Sequence, residues 1–94
     1  MIKHYINNMI FYTLYGHLSR ASIECLSENT QITKGEVVGF IGSSEINGDY
    51  APHLHFQIIK DIEHYKGDYP GVCSQADIEF YSNNCPDPNL VLKL

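Results

Sequence analysis

The sequence predicts a small, mostly β domain: an antiparallel sheet with a short helical turn and a loop-rich C-terminal tail. Three observations predict it. Residues 2–6 and 9–16 are rich in Ile, Tyr, Phe and Thr, which suit a pleated, half-buried surface. Asn7-Asn8 separates them, and Asn tolerates the positive φ that a two-residue hairpin turn demands. A third apolar run, Phe56 to Ile59, follows Ala51-Pro52-His53-Leu54-His55. Pro52 suits a strand start, where its missing N–H does no harm.

The remaining elements are read in chain order. The second strand runs into Tyr15-Gly16-His17-Leu18-Ser19, where Gly16 lets the backbone turn or approach a neighbour closely. Ser19 can cap a helical turn over residues 20–26, with Ile23 and Leu26 on one face. Lys34-Gly35 reads as a turn. Residues 36–42, Glu-Val-Val-Gly-Phe-Ile-Gly, read as a short buried strand between glycines. Residues 43–50 form a polar loop containing Asn47-Gly48, and the strand after it ends near Lys60. From Asp61 on the pattern is mixed and turn-rich. Residues 82–88 read as a loop with two prolines, and 89–92 as a last apolar segment. The expected core is Phe56, Leu54, Ile41, Val38, Leu14 and Phe11 or Tyr12, since each strand must bury one side.

Length and charge narrow the functional classes. A chain of 94 residues allows one small domain with a modest core. The formal net charge of -5 and the absence of any Lys/Arg run argue against nucleic acid or an anionic membrane surface as a partner. No apolar stretch reaches membrane-spanning length, and the first residues carry no secretory h-region. Cys25, Cys73 and Cys85 are odd in number and lack C-x-x-C spacing, so the expectation is reduced thiols in a cytoplasmic setting.

The chemistry concentrates in Pro52-His53-Leu54-His55-Phe56. On a strand, residues i and i+2 share a face, so His53 and His55 would stand side by side with Leu54 and Phe56 behind them. Paired imidazoles can bind one divalent metal, or divide into a ligand and a proton-transfer group. Two solvated surface histidines are the ordinary alternative.

Three motifs stand in one register: Tyr15-Gly16-His17-Leu18-Ser19, Lys34-Gly35-x-Val37-x-Gly39-x-Ile41-Gly42, and the H-x-H stretch. Together they closely resemble the C-terminal half of the lysostaphin-type zinc endopeptidase domain, which includes the murein hydrolases. The resemblance covers residues 1–60 and implies a partial duplicated-hybrid-motif fold, with residues 61–94 as an extension. It implies Zn2+ as cofactor and a peptide or peptidoglycan-like substrate. It further implies His55 as a zinc ligand, His53 as the histidine that helps activate water, and His17 as a second non-ligand histidine that orients water or stabilises the oxyanion. His4 matches a first-strand position where a histidine is common, and reads as structural.

The family's other two zinc ligands belong to an H-x-x-x-D motif upstream of these motifs. Catalytic zinc takes three protein ligands and a water. The expectation is therefore a truncated domain, inactive alone, which works with further domains or a complementary N-terminal fragment. His64 and Asp68 repeat the H-x-x-x-D spacing, but on the far side of the H-x-H stretch and in a turn-rich segment that reads as a solvated loop. The tail adds a second likeness. Residues 67–72 and 85–90 resemble the stretch after the peptidase-like domain in multidomain proteins that also carry a kinase-like domain and a class III aminotransferase. Two other readings stand beside the peptidase: a non-catalytic binding or regulatory module on the same fold, and a phosphocarrier that uses two facing histidines.

Overall fold

The computed structural model describes residues 1–45 and 51–93. A three-stranded antiparallel sheet, ordered β1-β2-β3, organises it. The strands are β1 (Ile2–Ile6), β2 (Met9–Gly16) and β3 (His55–Ile59). Among the described residues, three short helices, α1 (Arg20–Glu24), α2 (Ile78–Asn84) and α3 (Asn89–Leu92), and a 3-10 turn at Gln75–Asp77 complete the elements. The fold is thus the small antiparallel β domain with a helical turn that the sequence implies. Two compact units divide it: Met1–Tyr15 with Phe56–Leu94, and Gly16–His55.

In the first unit the hairpin forms at the expected residues. Ile6 pairs with Met9, which leaves Asn7 and Asn8 as a two-residue turn with φ of 50° and 64°. These left-handed values match the twist of the flanking strands. His4 lies opposite Phe11, and the two rings stack at 4.7 Å. The Nε2 of His4 is 2.7 Å from Thr13 Oγ1, whose hydroxyl donates to Tyr15 Oη. Thr13 has one proton and gives it to Tyr15, so His4 must donate through Nε2–H. Burial of the imidazole lowers the His4 pKa.

The core of this unit is Leu14, Ile59 and Tyr69, with Tyr12, Ile62, Tyr65, Tyr81 and Cys85 packed around it. Among the described residues only Ile59 is wholly shielded from solvent. Much of the cover comes from residues after 61, held by Asn84. Its Oδ1 accepts from the Asp61 N–H, and its Nδ2 donates to the Asp61 carbonyl and to Tyr69 Oη at 2.6 Å. The Lys60 N–H donates to the Asn84 carbonyl. Tyr69 in turn donates to the Glu63 carboxylate at 2.9 Å. Burial first, and then this bond to Glu63, holds the Tyr69 phenol well above its usual pKa.

In the second unit, Ser19 caps α1 by accepting from the Ser22 N–H. Leu18 bridges Ile41 in antiparallel fashion, the Ser19 N–H donates to Phe40 O, and the Gly42 N–H donates to His17 O at 2.7 Å. Ser22 Oγ accepts from the Phe40 N–H at 2.7 Å. A Cβ on Gly39 would lie 2.7 Å from Ser22 Cβ, so glycine is what lets the backbone pass this close. Glu36 folds back on Thr33, accepting from both its N–H and its hydroxyl after the turn at Gly35, whose φ is +83°.

Several expectations are corrected here. Residues 36–42 make a single bridge rather than a buried strand, because the backbone at Phe40 bonds to Ser19 and to the Ser22 hydroxyl instead of to a ladder. Phe40 and Ile41 are accordingly exposed. Leu54 is also exposed, since it precedes β3. The strand begins at His55, which leaves His53 outside it. Ser82, Asn83 and Asn84 are the last turn of α2 rather than a loop, with the buried Asn84 anchoring that turn. The Asn47-Gly48 loop lies outside the described residues.

Two measurements check this packing. Ile59→Ala is expected to cost about 2–5 kcal/mol in denaturant unfolding, as for other fully buried aliphatics. Leu54→Ala, at an exposed position, stays within about 0.5 kcal/mol. The second concerns pH. A phenol whose pKa is raised on folding stabilises fully below its unfolded value, so stability falls as pH climbs past about 10. A histidine lowered on folding acts in the opposite sense and costs stability as pH drops below about 6.5. Unfolding free energies measured across pH are expected to lose part of the alkaline slope in Tyr69→Phe and part of the acid slope in His4→Gln.

Candidate functional site

His17, His53 and His55 all lie in the second unit. His17 follows the last residue of β2 and adopts left-handed backbone geometry, with φ of 63°. Histidine tolerates this region better than most residues do, and strained backbone concentrates at functional positions. The conformation is locked from the other side, because the His17 carbonyl accepts from Gly42 and the next residue bridges Ile41. The glycine-punctuated segment, which forms no strand, therefore serves to hold His17.

Around His17 stand the two histidines of the H-x-H motif. The ring of His53 is 4.6 Å from that of His17, centroid to centroid, and the ring of His55 is 5.6 Å away. The pairs are tilted by 49° and 46°. His17 and His55 are half-buried and His53 is exposed. The site residues read from the sequence are thus brought to one place, although His53 and His55 do not share a strand face.

Two details were not legible in the sequence. Nδ1 of His53 lies 2.7 Å from the Ala51 carbonyl. A carbonyl only accepts, so this nitrogen carries the proton, and in the neutral ring the lone pair resides on Nε2. The second is the place of Gly16. A Cβ there would lie 3.0 Å from His55 Cβ and 3.4 Å from its Cγ. The missing side chain is what allows the His55 ring to approach the end of β2. The glycine preceding His17 was the only hint in the sequence, and it was compatible with a turn as well.

His64 and Asp68, which repeat the H-x-x-x-D spacing, have a different setting. His64 is exposed and stacks on Tyr65 at 4.5 Å. Asp68 accepts from the Tyr69 N–H at 2.8 Å. Both lie in the first unit, in the turn-rich stretch. Among the described residues no three His, Cys, Asp or Glu side chains are grouped to hold a metal ion. A catalytic zinc takes three protein ligands, so the described residues do not fit a complete zinc centre.

Comparison with known proteins adds one finding. No curated protein and no solved structure matches the chain. The family model for Peptidase family M23 matches residues 1–67, a span that contains the hairpin, His17, His53 and His55. On that match, over well more than half of its length, the chain belongs to Peptidase family M23.

Proposed function

We propose that this chain carries the histidine portion of a peptide-hydrolysing centre, and that alone it is not an active peptidase. The observation that supports this most is the clustering of His17, His53 and His55 within a span matched by Peptidase family M23. His53 is the proton acceptor. Its Nδ1–H is committed to Ala51 O, which leaves Nε2 to take a proton from an attacking water. His17 is the hydrogen-bond donor to the oxygen that becomes negative when a peptide carbonyl is attacked. His55 is the metal-ligand candidate, its close approach to Gly16 permitted by the missing side chain there. Zinc, when bound by a full ligand set, lowers the pKa of its water and polarises the carbonyl. One histidine does not supply that set, and neighbouring groups tune ligands rather than replace them. The substrate class is a peptide, as in the family.

The test is metal analysis by mass spectrometry alongside hydrolysis of a pentaglycine or cell-wall peptide. The chain as it stands is expected to bring less than stoichiometric zinc and to show no hydrolysis. Fusing a segment that carries H-x-x-x-D ahead of it is expected to give tight zinc binding. In that fusion His55→Ala loses the metal, whereas His53→Ala keeps the metal and loses turnover. Stoichiometric, chelator-sensitive zinc in the chain alone overturns the ligand count. A fusion that binds zinc but never hydrolyses peptide favours the binding-module reading.

A second measurement addresses Gly16. Gly16→Ala places a methyl group against His55, at a distance tighter than ordinary van der Waals contact. The His55 imidazole resonances in a proton–nitrogen NMR spectrum are expected to shift, while those of His64, in the other unit, stay in place.

A further inference from the structure

The thiols are the reactive groups that the peptidase reading leaves unused. Cys25 is exposed and belongs to the second unit. Cys73 and Cys85 both belong to the first, and both line one cleft together with Gln57, Pro70 and Tyr81. Their settings differ. Cys73 is exposed, on an irregular stretch between the bend at Gly71 and the 3-10 turn, beside Val72, which is 89% exposed. Cys85 is half-buried at the C-cap of α2, where its N–H donates to Tyr81 O.

We propose that Cys73 and Cys85 form a peroxide-sensitive dithiol whose oxidation closes this cleft with an intramolecular disulfide. The co-reactant is a hydroperoxide. The Cys73 thiolate attacks the outer oxygen of the hydroperoxide, the O–O bond breaks, and the other oxygen leaves as alkoxide or hydroxide and takes up a proton. Sulfur loses two electrons and becomes a sulfenic acid. The Cys85 sulfur then attacks the Cys73 sulfur, the S–S bond forms and the S–O bond breaks. The departing hydroxide takes the Cys85 proton and leaves as water. Two thiols and one hydroperoxide thus give a disulfide, an alcohol or water, and a further water.

The order follows from exposure. The thiolate is the nucleophile, and reactive cysteines need access. Cys73 has that access. Cys85 is half-buried and meets a solution peroxide less readily, which leaves it the resolving role. A disulfide needs Cα atoms within about 7 Å of each other. Cys73 sits in neither helix nor strand, so its approach to Cys85 breaks no helix or ladder bond.

The experiment uses the full chain, at low concentration to suppress intermolecular pairing. It is treated with hydrogen peroxide, alkylated, digested and mapped by mass spectrometry. The expected product is a Cys73–Cys85 bridged peptide with the mass loss of two hydrogens, while Cys25 is recovered alkylated. In Cys85→Ser, dimedone is expected to label Cys73. In Cys73→Ser, Cys85 is expected to stay reduced at the same dose. Bridges that include Cys25, or Cys73 recovered only as sulfinic or sulfonic acid, overturn the proposal. Mapping of the unsubstituted chain decides the outcome even if a serine variant fails to fold.

Discussion

The buried side-chain amide of Asn84 is the interaction on which the first unit depends. It satisfies the Asp61 N–H and carbonyl together and reaches the hydroxyl of Tyr69. Buried backbone groups need partners, and a three-stranded sheet of short strands supplies few of them. Asn84 does for residues 60 and 61 what another strand would do in a larger sheet. By fixing Tyr69 it also completes the core beneath Leu14 and Ile59. The apolar contribution of so small a core is modest, so satisfied polar contacts weigh more heavily than they would in a larger domain.

The second unit solves the same problem with hydroxyls. Ser19 and Ser22 share a hydrogen bond at 2.8 Å, and together they cap α1 and hold the backbone at Phe40. Through the Leu18–Ile41 bridge this arrangement extends to His17. The histidine cluster is thus held by loop-to-loop bonds and two close approaches, at Gly16 and Gly39. Site residues on loops fixed by a scaffold are a common way to place chemistry.

The peptidase reading and the thiol proposal concern different units and different chemistry. The histidine cluster lies in residues 16–55, whereas the cysteine cleft belongs to the first unit. A family assignment speaks to the first and leaves the second open, because it reaches only to residue 67.

What the sequence determined by itself was local. The hairpin over residues 2–16 was legible to the residue, because Asn7-Asn8 demands a turn that only a two-residue connection satisfies and β-formers flank it. The Ser19 cap was legible because a serine hydroxyl reaches an N–H three residues on. Motif order singled out His17, His53 and His55 as candidates, and their rings do lie near one another. Only the tertiary structure decided how these residues meet. Residues 36–42 have a strand's composition, but an apolar run forms a strand only where a partner edge exists, and here the Ser19 and Ser22 hydroxyl and amide groups claim the backbone at Phe40. Ile41 is for that reason outside the core that its apolarity suggested, and Leu54 is outside it because it precedes β3. The tail read as loop because Asn and Ser are turn formers, yet the partners of Asn84 lie in residues 61 and 69, far along the chain. Spacing in a sequence fixes which side chains are near in the chain. Which ones touch is set by long-range bonds that no local pattern encodes.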